Sequence, residues 1–65
     1  MTTGDKIRQA RKTRGLTLEQ VAHRCGRHKQ QLAAWESDLN DIRLGNLEAV
    51  ARALGMSVVE LLSIR

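Results

Sequence analysis

Three groups of residues have the types and spacing to do chemistry. His23, Cys25 and His28 fall within a few positions of one another, and such side chains bind zinc or activate a nucleophile. Asp38 and Asp41 set two carboxylates on one short stretch. Lys29 and Gln30, followed by Ala33 and Ala34, place hydrogen-bonding groups and then small side chains along one segment. The first group fails on helical register. Cys25 shares the buried face with Val21 and Ala22, His23 faces the other way, and no fourth ligand is evident. The second group reads as a solvated loop. No metal, no cofactor and no enzymatic activity are therefore expected. The third group depends on the elements that carry it.

The chain has 65 residues, 11 basic and 7 acidic, with one cysteine and no proline, phenylalanine or tyrosine. That length predicts a single domain over residues 1–65. A lone cysteine excludes an internal disulfide, so helix packing must carry the fold, and a reducing cytoplasm suits it. The opening residues lead into a charged segment rather than a secretory apolar core, and no apolar run has the length of a membrane span. Charge is polarised. Residues 1–29 carry eight basic side chains against two acidic ones, whereas residues 30–65 carry three against five. Such a field favours a polyanion on one side of the molecule.

No stretch alternates like a strand, and the glycines punctuate helices. The first helix is expected over 5–14, with Gly15 ending it. Gly15-Leu16-Thr17 and Gly55-Met56-Ser57 repeat one signal. In each, a glycine stops a helix, a hydroxyl residue caps the next, and Gln20 or Glu60 three residues on closes a capping box. Leu16 with Val21, and Met56 with Leu61, have the spacing of hydrophobic staples. The second helix is expected over 18–25, burying Val21, Ala22 and Cys25. The third runs over 29–37, a loop over 38–44, the fourth from Gly45 or Asn46 to Leu54, and the fifth over 58–63.

Gly26 decides how the second and third helices meet. Ala22, four residues before it, leaves room for a close approach, and Leu32, six residues after it, points back into the angle. Val21 and Trp35 fill the wedge. A turn of about three or four residues then joins two helices at about 90–120°. With Ile7-Arg8-Gln9-Ala10-Arg11, Gly15-Leu16-Thr17, Val21-Ala22, Trp35-Glu36, Leu47, Val50-Ala51, Leu54-Gly55 and Leu61, this spacing resembles the phage-repressor and Cro-like (XRE-type) helix-turn-helix family. The resemblance spans about Ile7 to Leu62. It implies an all-α, compact five-helix bundle of the lambda-repressor-like type, with helices two and three forming the helix-turn-helix. It also implies operator DNA as partner, usually bound by a homodimer.

On the third helix Leu32, Trp35 and Glu36 share the inner face, so Lys29, Gln30, Ala33 and Ala34 are free to meet base edges in a major groove. Lysine suits guanine O6 and N7, glutamine suits adenine N6 and N7, and alanine suits a thymine methyl. These four match the family's base-contact positions. Thr17, Arg27, His28, Gln31 and Arg43 are expected at phosphates, which fix register without specifying sequence. Arg11 and Glu36 match a family ion pair between helices one and three. Three positions depart from the family pattern: Leu18 where a glutamine is common, Arg27 for a small apolar residue, and Asp38 for glycine in an unusually acidic loop. Val58, Val59, Leu61, Leu62 and Ile64 are more apolar groups than a short helix can bury alone, and a second chain is expected to cover some. The reading is a DNA-binding transcriptional regulator acting as a repressor; the alternative is an antitoxin-like or other protein-interaction module that holds a protein partner.

Overall fold

A computed structural model describes residues 1–65. Five helices follow in order, α1 Thr3–Thr13, α2 Leu18–Cys25, α3 Lys29–Glu36, α4 Leu44–Ala53 and α5 Val58–Leu62, and there is no strand. None is long and apolar enough to cross a membrane.

Three helices start with the same device. Thr17 Oγ1 accepts the Gln20 N–H at 3.1 Å while Gln20 Oε1 accepts the Thr17 N–H at 2.8 Å. Ser57 and Glu60 do the same for α5. Thr2 and Asp5 do it for α1, so this helix starts at Thr3, two residues before the expected point. Asp5 closes the box with a shorter side chain than the glutamate or glutamine of the usual pattern. α4 starts at Leu44, also ahead of expectation. Its capping residue, Arg43, makes no side-chain bond to the helix, so no residue type marks the boundary.

Ile7, Val21, Leu32, Val50 and Leu61, one from each helix, are wholly buried. Burying each contributes about 1.5–3 kcal/mol. Trp35, Leu47, Ala51 and Leu54 complete the centre. α3 packs on α1 and α2, α4 on α2 and α5, and α5 returns to α1. Cys25 corrects an expectation: it is half-buried at the margin of this core. Leu61 corrects another. It is wholly buried in the chain's own core, against which Met56 packs, and so has no surface left for a second chain. Val58 and Ile64 pack partly on the core, whereas Val59 and Leu62 remain exposed.

The end of α3 rests on the start of α1. A Cβ on Gly4 would press on the carbonyl oxygen of Trp35 and stand 2.6 Å from that of Glu36. Only glycine permits this approach, which sets the positive end of one helix dipole against the negative end of another. Asp38 locks the junction. Its φ of 60° is left-handed, and the Asp38 and Leu39 amides bond back to Trp35 and Ala34 as a Schellman closure. Its carboxylate accepts from Gly4 N at 3.2 Å and from Thr2 Oγ1 at 2.6 Å. Two cations close other helix ends: Lys6 Nζ donates to Leu62 O at 2.7 Å, and Arg24 Nη1 to Ala53 O at 3.0 Å.

Candidate nucleic-acid interface

The corner between α2 and α3 is built from the backbone outward. Gly26 takes φ +69°, a conformation that costs a residue with a Cβ about 1–2 kcal/mol. In that geometry the Arg27 amide bonds to Ala22 O at 2.9 Å and the Gly26 amide to His23 O at 3.2 Å. Two carbonyls of the last turn of α2 are thereby satisfied and the chain turns at once into α3. His28 precedes the first turn of α3 and places no side-chain bond on it. The Lys29 and Gln30 amides consequently remain open, while the Gln31 amide bonds back to His28 O at 3.1 Å.

Lys29, Gln30 and Gln31 are exposed at this end, and Ala33 and Ala34 are half-buried along the helix. Leu32, Trp35 and Glu36 face inward, so the division of faces follows the helical period. Two adjoining recesses flank the exposed end. One is lined by Thr17, Leu18, Glu19, Lys29, Gln30 and Ala33 together with Arg11, Gly15 and Leu16. The other is lined by Glu19, Gln20, Ala22, His23, Arg27, His28, Lys29 and Gln30. Thr17, Arg27, His28, Lys29, Gln30 and Ala33 are thus brought together. Gln31, Ala34 and Arg43 lie outside both recesses.

Arg11 fixes the attitude of this surface. Its Nε donates to Glu36 Oε2 at 2.7 Å and Nη2 to Oε1 at 3.1 Å, while Nη1 donates to Leu16 O at 2.9 Å. One guanidinium therefore ties α1, the α1–α2 corner and α3. The bond to Glu36 raises the Arg11 pKa above its ordinary value, burial opposes the rise, and the Glu36 charge adds to it. Planar two-point pairing of this kind is specific to arginine.

Other side chains take places that sequence reasoning did not foresee. Arg27 Nη2 donates to Asn46 Oδ1 at 2.8 Å, which bridges the turn to the start of α4. Lys29 Nζ lies 3.3 Å from Glu19 Oε1. The Cys25 thiol points toward Ala49 O at 3.7 Å. Burial pushes its pKa up, against a smaller opposing effect of Arg27, so the neutral thiol is favoured over the nucleophilic thiolate. Asn46 and Glu19 carried no motif signal; their roles depend on contacts across ten or more residues.

Residues 7–61 match the helix-turn-helix family model. The chain belongs to the phage-repressor-like helix-turn-helix family. It is 43% identical over 58 residues to the immunity repressor protein of Bacillus phage phi105, a match covering 89% of this chain and 40% of that protein. The chain therefore spans less than half the length of this relative. Among solved structures, SinR, the master regulator of biofilm formation, in complex with DNA superposes with a TM-score of 0.86 at 33% identity. That match covers 95% of this chain and all of the SinR chain. The clp gene regulator ClgR from C. glutamicum superposes with a TM-score of 0.89 at 28% identity, covering 92% of this chain and 78% of its own. In this helix-turn-helix the corner is Gly26 and the outward end is Lys29–Gln30.

Proposed function

We propose that this chain is a sequence-specific double-stranded DNA-binding transcriptional regulator, acting as a repressor and reading operator DNA in the major groove through α3. The observation that carries this reading is the open Lys29–Gln30 end of α3, held outward by the Gly26 corner and braced by Arg11 and Glu36. Lys29, Gln30, Ala33 and Ala34 meet base edges. Thr17, Arg27, His28, Gln31 and Arg43 hold phosphates. Residues 1–65 act as one binding domain, without a chemical step, in the cytoplasm.

Two copies bind together. Val59 and Leu62, 75% and 39% exposed, supply the centre of the contact, with Val58 and Ile64 at its margin. A two-fold pair then presents two reading helices about 34 Å apart, to successive major grooves on one side of a duplex. The phage repressor and the DNA-bound regulator among the relatives support the same reading.

Selection from a random duplex pool at physiological salt tests this. The expected result is a two-fold symmetric motif whose affinity falls steeply with salt as bound counterions are released. Retention of no preferred sequence would remove the proposal. A second reading, docking of a protein partner, has one observation in its favour: Leu39 and Leu44 are 78% and 66% exposed beside the acidic 38–41 loop. A stable protein complex formed without any duplex binding would favour it.

A further inference from the structure

Glu19 stands where a surface for a polyanion has least use for a carboxylate. It is the second residue of α2, is 75% exposed, and faces Lys29 Nζ at 3.3 Å across the α2–α3 corner. The two recesses beside the head of α3 share three residues, Glu19, Lys29 and Gln30, which form the ridge between them. Arg11, His23, Arg27 and His28 supply the other ionisable groups on those walls, and Glu19 is their one acid. Stability does not account for it. An exposed ion pair is screened and costs side-chain entropy, and a first-turn carboxylate gains only modestly from the helix dipole.

We propose that Glu19 is a positioning residue that sets specificity by holding the Lys29 ammonium at the corner until a guanine edge displaces it. On an arbitrary duplex the phosphates must compete for Lys29 with a carboxylate already in place, which itself repels them. The pair stays closed and Lys29 releases no counterion. Where a guanine lies opposite the head of α3, O6 and N7 offer two acceptors in fixed geometry, and the ammonium transfers to them. Discrimination rises because the wrong complex is penalised more than the right one.

The test compares wild type, Glu19→Gln, Lys29→Met and the double variant on the selected duplex and on a random duplex of equal length, across a salt series. Glu19→Gln is expected to raise affinity for the random duplex about two- to fivefold, with a smaller gain on the selected one. It steepens the random-duplex salt dependence by about 0.9 in log–log slope, the value of one extra phosphate contact, and broadens base choice at the Lys29 position. In the Lys29→Met background the same change leaves slope and base choice unaltered. Equal gains on both duplexes in both backgrounds would show repulsion of phosphate without steering of Lys29, and would overturn the inference. So would a fall in melting temperature with base choice intact. The inference rests on α3 as the reading helix. Wild type that selects no sequence overturns that reading, whereas wild type that selects one and is indifferent to Glu19→Gln overturns this inference alone.

Discussion

Thr2 and Asp38, 36 positions apart, are joined by a 2.6 Å hydrogen bond from Oγ1 to Oδ2. The same carboxylate accepts the Gly4 amide at 3.2 Å, so one side chain at the end of α3 satisfies the start of α1. Asp38 also bears a left-handed φ of 60°. Asparagine and aspartate tolerate that region better than other residues with a Cβ.

Substitutions at Asp38 should therefore rank by how much of each role they keep. Asp38→Asn retains an acceptor for the Gly4 amide and the tolerance of positive φ, and costs least. Asp38→Gly relieves the backbone but loses the acceptor. Asp38→Ala loses the acceptor and adds strain, for a total of about 2 kcal/mol. Urea denaturation of the three variants gives the ranking; equal losses for glycine and alanine would show that backbone strain contributes nothing.

Gly4→Ala sets two effects against each other. Alanine in a helix is favoured over glycine by about 1 kcal/mol. Here the new Cβ meets the carbonyl oxygens of Trp35 and Glu36, which are backbone and cannot rotate away. Overpacking against fixed atoms costs about 1–3 kcal/mol, so a net loss of stability is expected. A thermal melt at or above the wild-type midpoint would contradict it.

This junction marks the boundary of what sequence could give. Gly15, Gly26 and Gly55 all take positive φ, and the boxes at Thr17 and Ser57 form as their spacing requires. Such features were legible because each is settled within one turn of chain. Gly4, Asp38 and Asn46 were not, since their partners arrive from other helices. Lys6 and Arg24 show the same limit from the side of charge. Both counted toward the basic half of the chain, yet each donates to the last carbonyls of another helix. At the candidate interface the face carrying Lys29 and Gln30 followed from helical period, but its carboxylate neighbour Glu19 did not. Of the apolar tail, pattern alone could not separate Leu61, which is core, from Val59 and Leu62, which are exposed.

Breaking the Arg11–Glu36 pair should be severe. The side chains are 13% and 7% exposed, so removing either leaves a largely desolvated charge. Glu36→Ala or Arg11→Ala is expected to cost about 3 kcal/mol, the lower end of the range for buried pairs. A chain of 65 residues at about 0.05–0.15 kcal/mol per residue has little more to lose. The double variant Arg11→Met/Glu36→Leu, with no stranded charge, should recover much of the loss. Additive losses in a double-mutant cycle would argue against coupling.

The Glu60 capping box gives a pH dependence. The Ser57 backbone amide, and after it the Ser57 side chain, hold the Glu60 pKa below its ordinary value; burial opposes them, and the charge of Arg14 adds to the lowering. A carboxylate with a depressed folded-state pKa contributes stability above its unfolded pKa, near 4.3 for glutamate. That contribution disappears as pH falls through the folded value. Glu60→Gln keeps an acceptor for Ser57 N–H and removes the titration. The stability gap between wild type and Glu60→Gln should close as pH is lowered from about 6 to about 3. Calorimetric scans showing a constant gap would contradict the assignment.

Base readers and phosphate holders should separate in the affinity they lose as salt and sequence vary. Lys29→Ala and Gln30→Ala are each expected to cost about 1–3 kcal/mol on the preferred duplex and to relax choice at one base pair, because a specific edge contact is lost. Arg43→Ala should weaken binding to every duplex alike and reduce the log–log salt slope by about 0.9, since a phosphate contact carries no sequence information. Arg27 offers a sharper case. Its bond to Asn46 Oδ1 already aims the guanidinium along the start of α4, so Asn46→Ala, which adds or removes no charge, should weaken binding less than Arg27→Ala while leaving base choice intact. Selection profiles and salt titrations of the five variants supply the comparison. A change in base choice on losing Arg27, or an unaltered profile on losing both Lys29 and Gln30, would move the reading surface away from the head of α3.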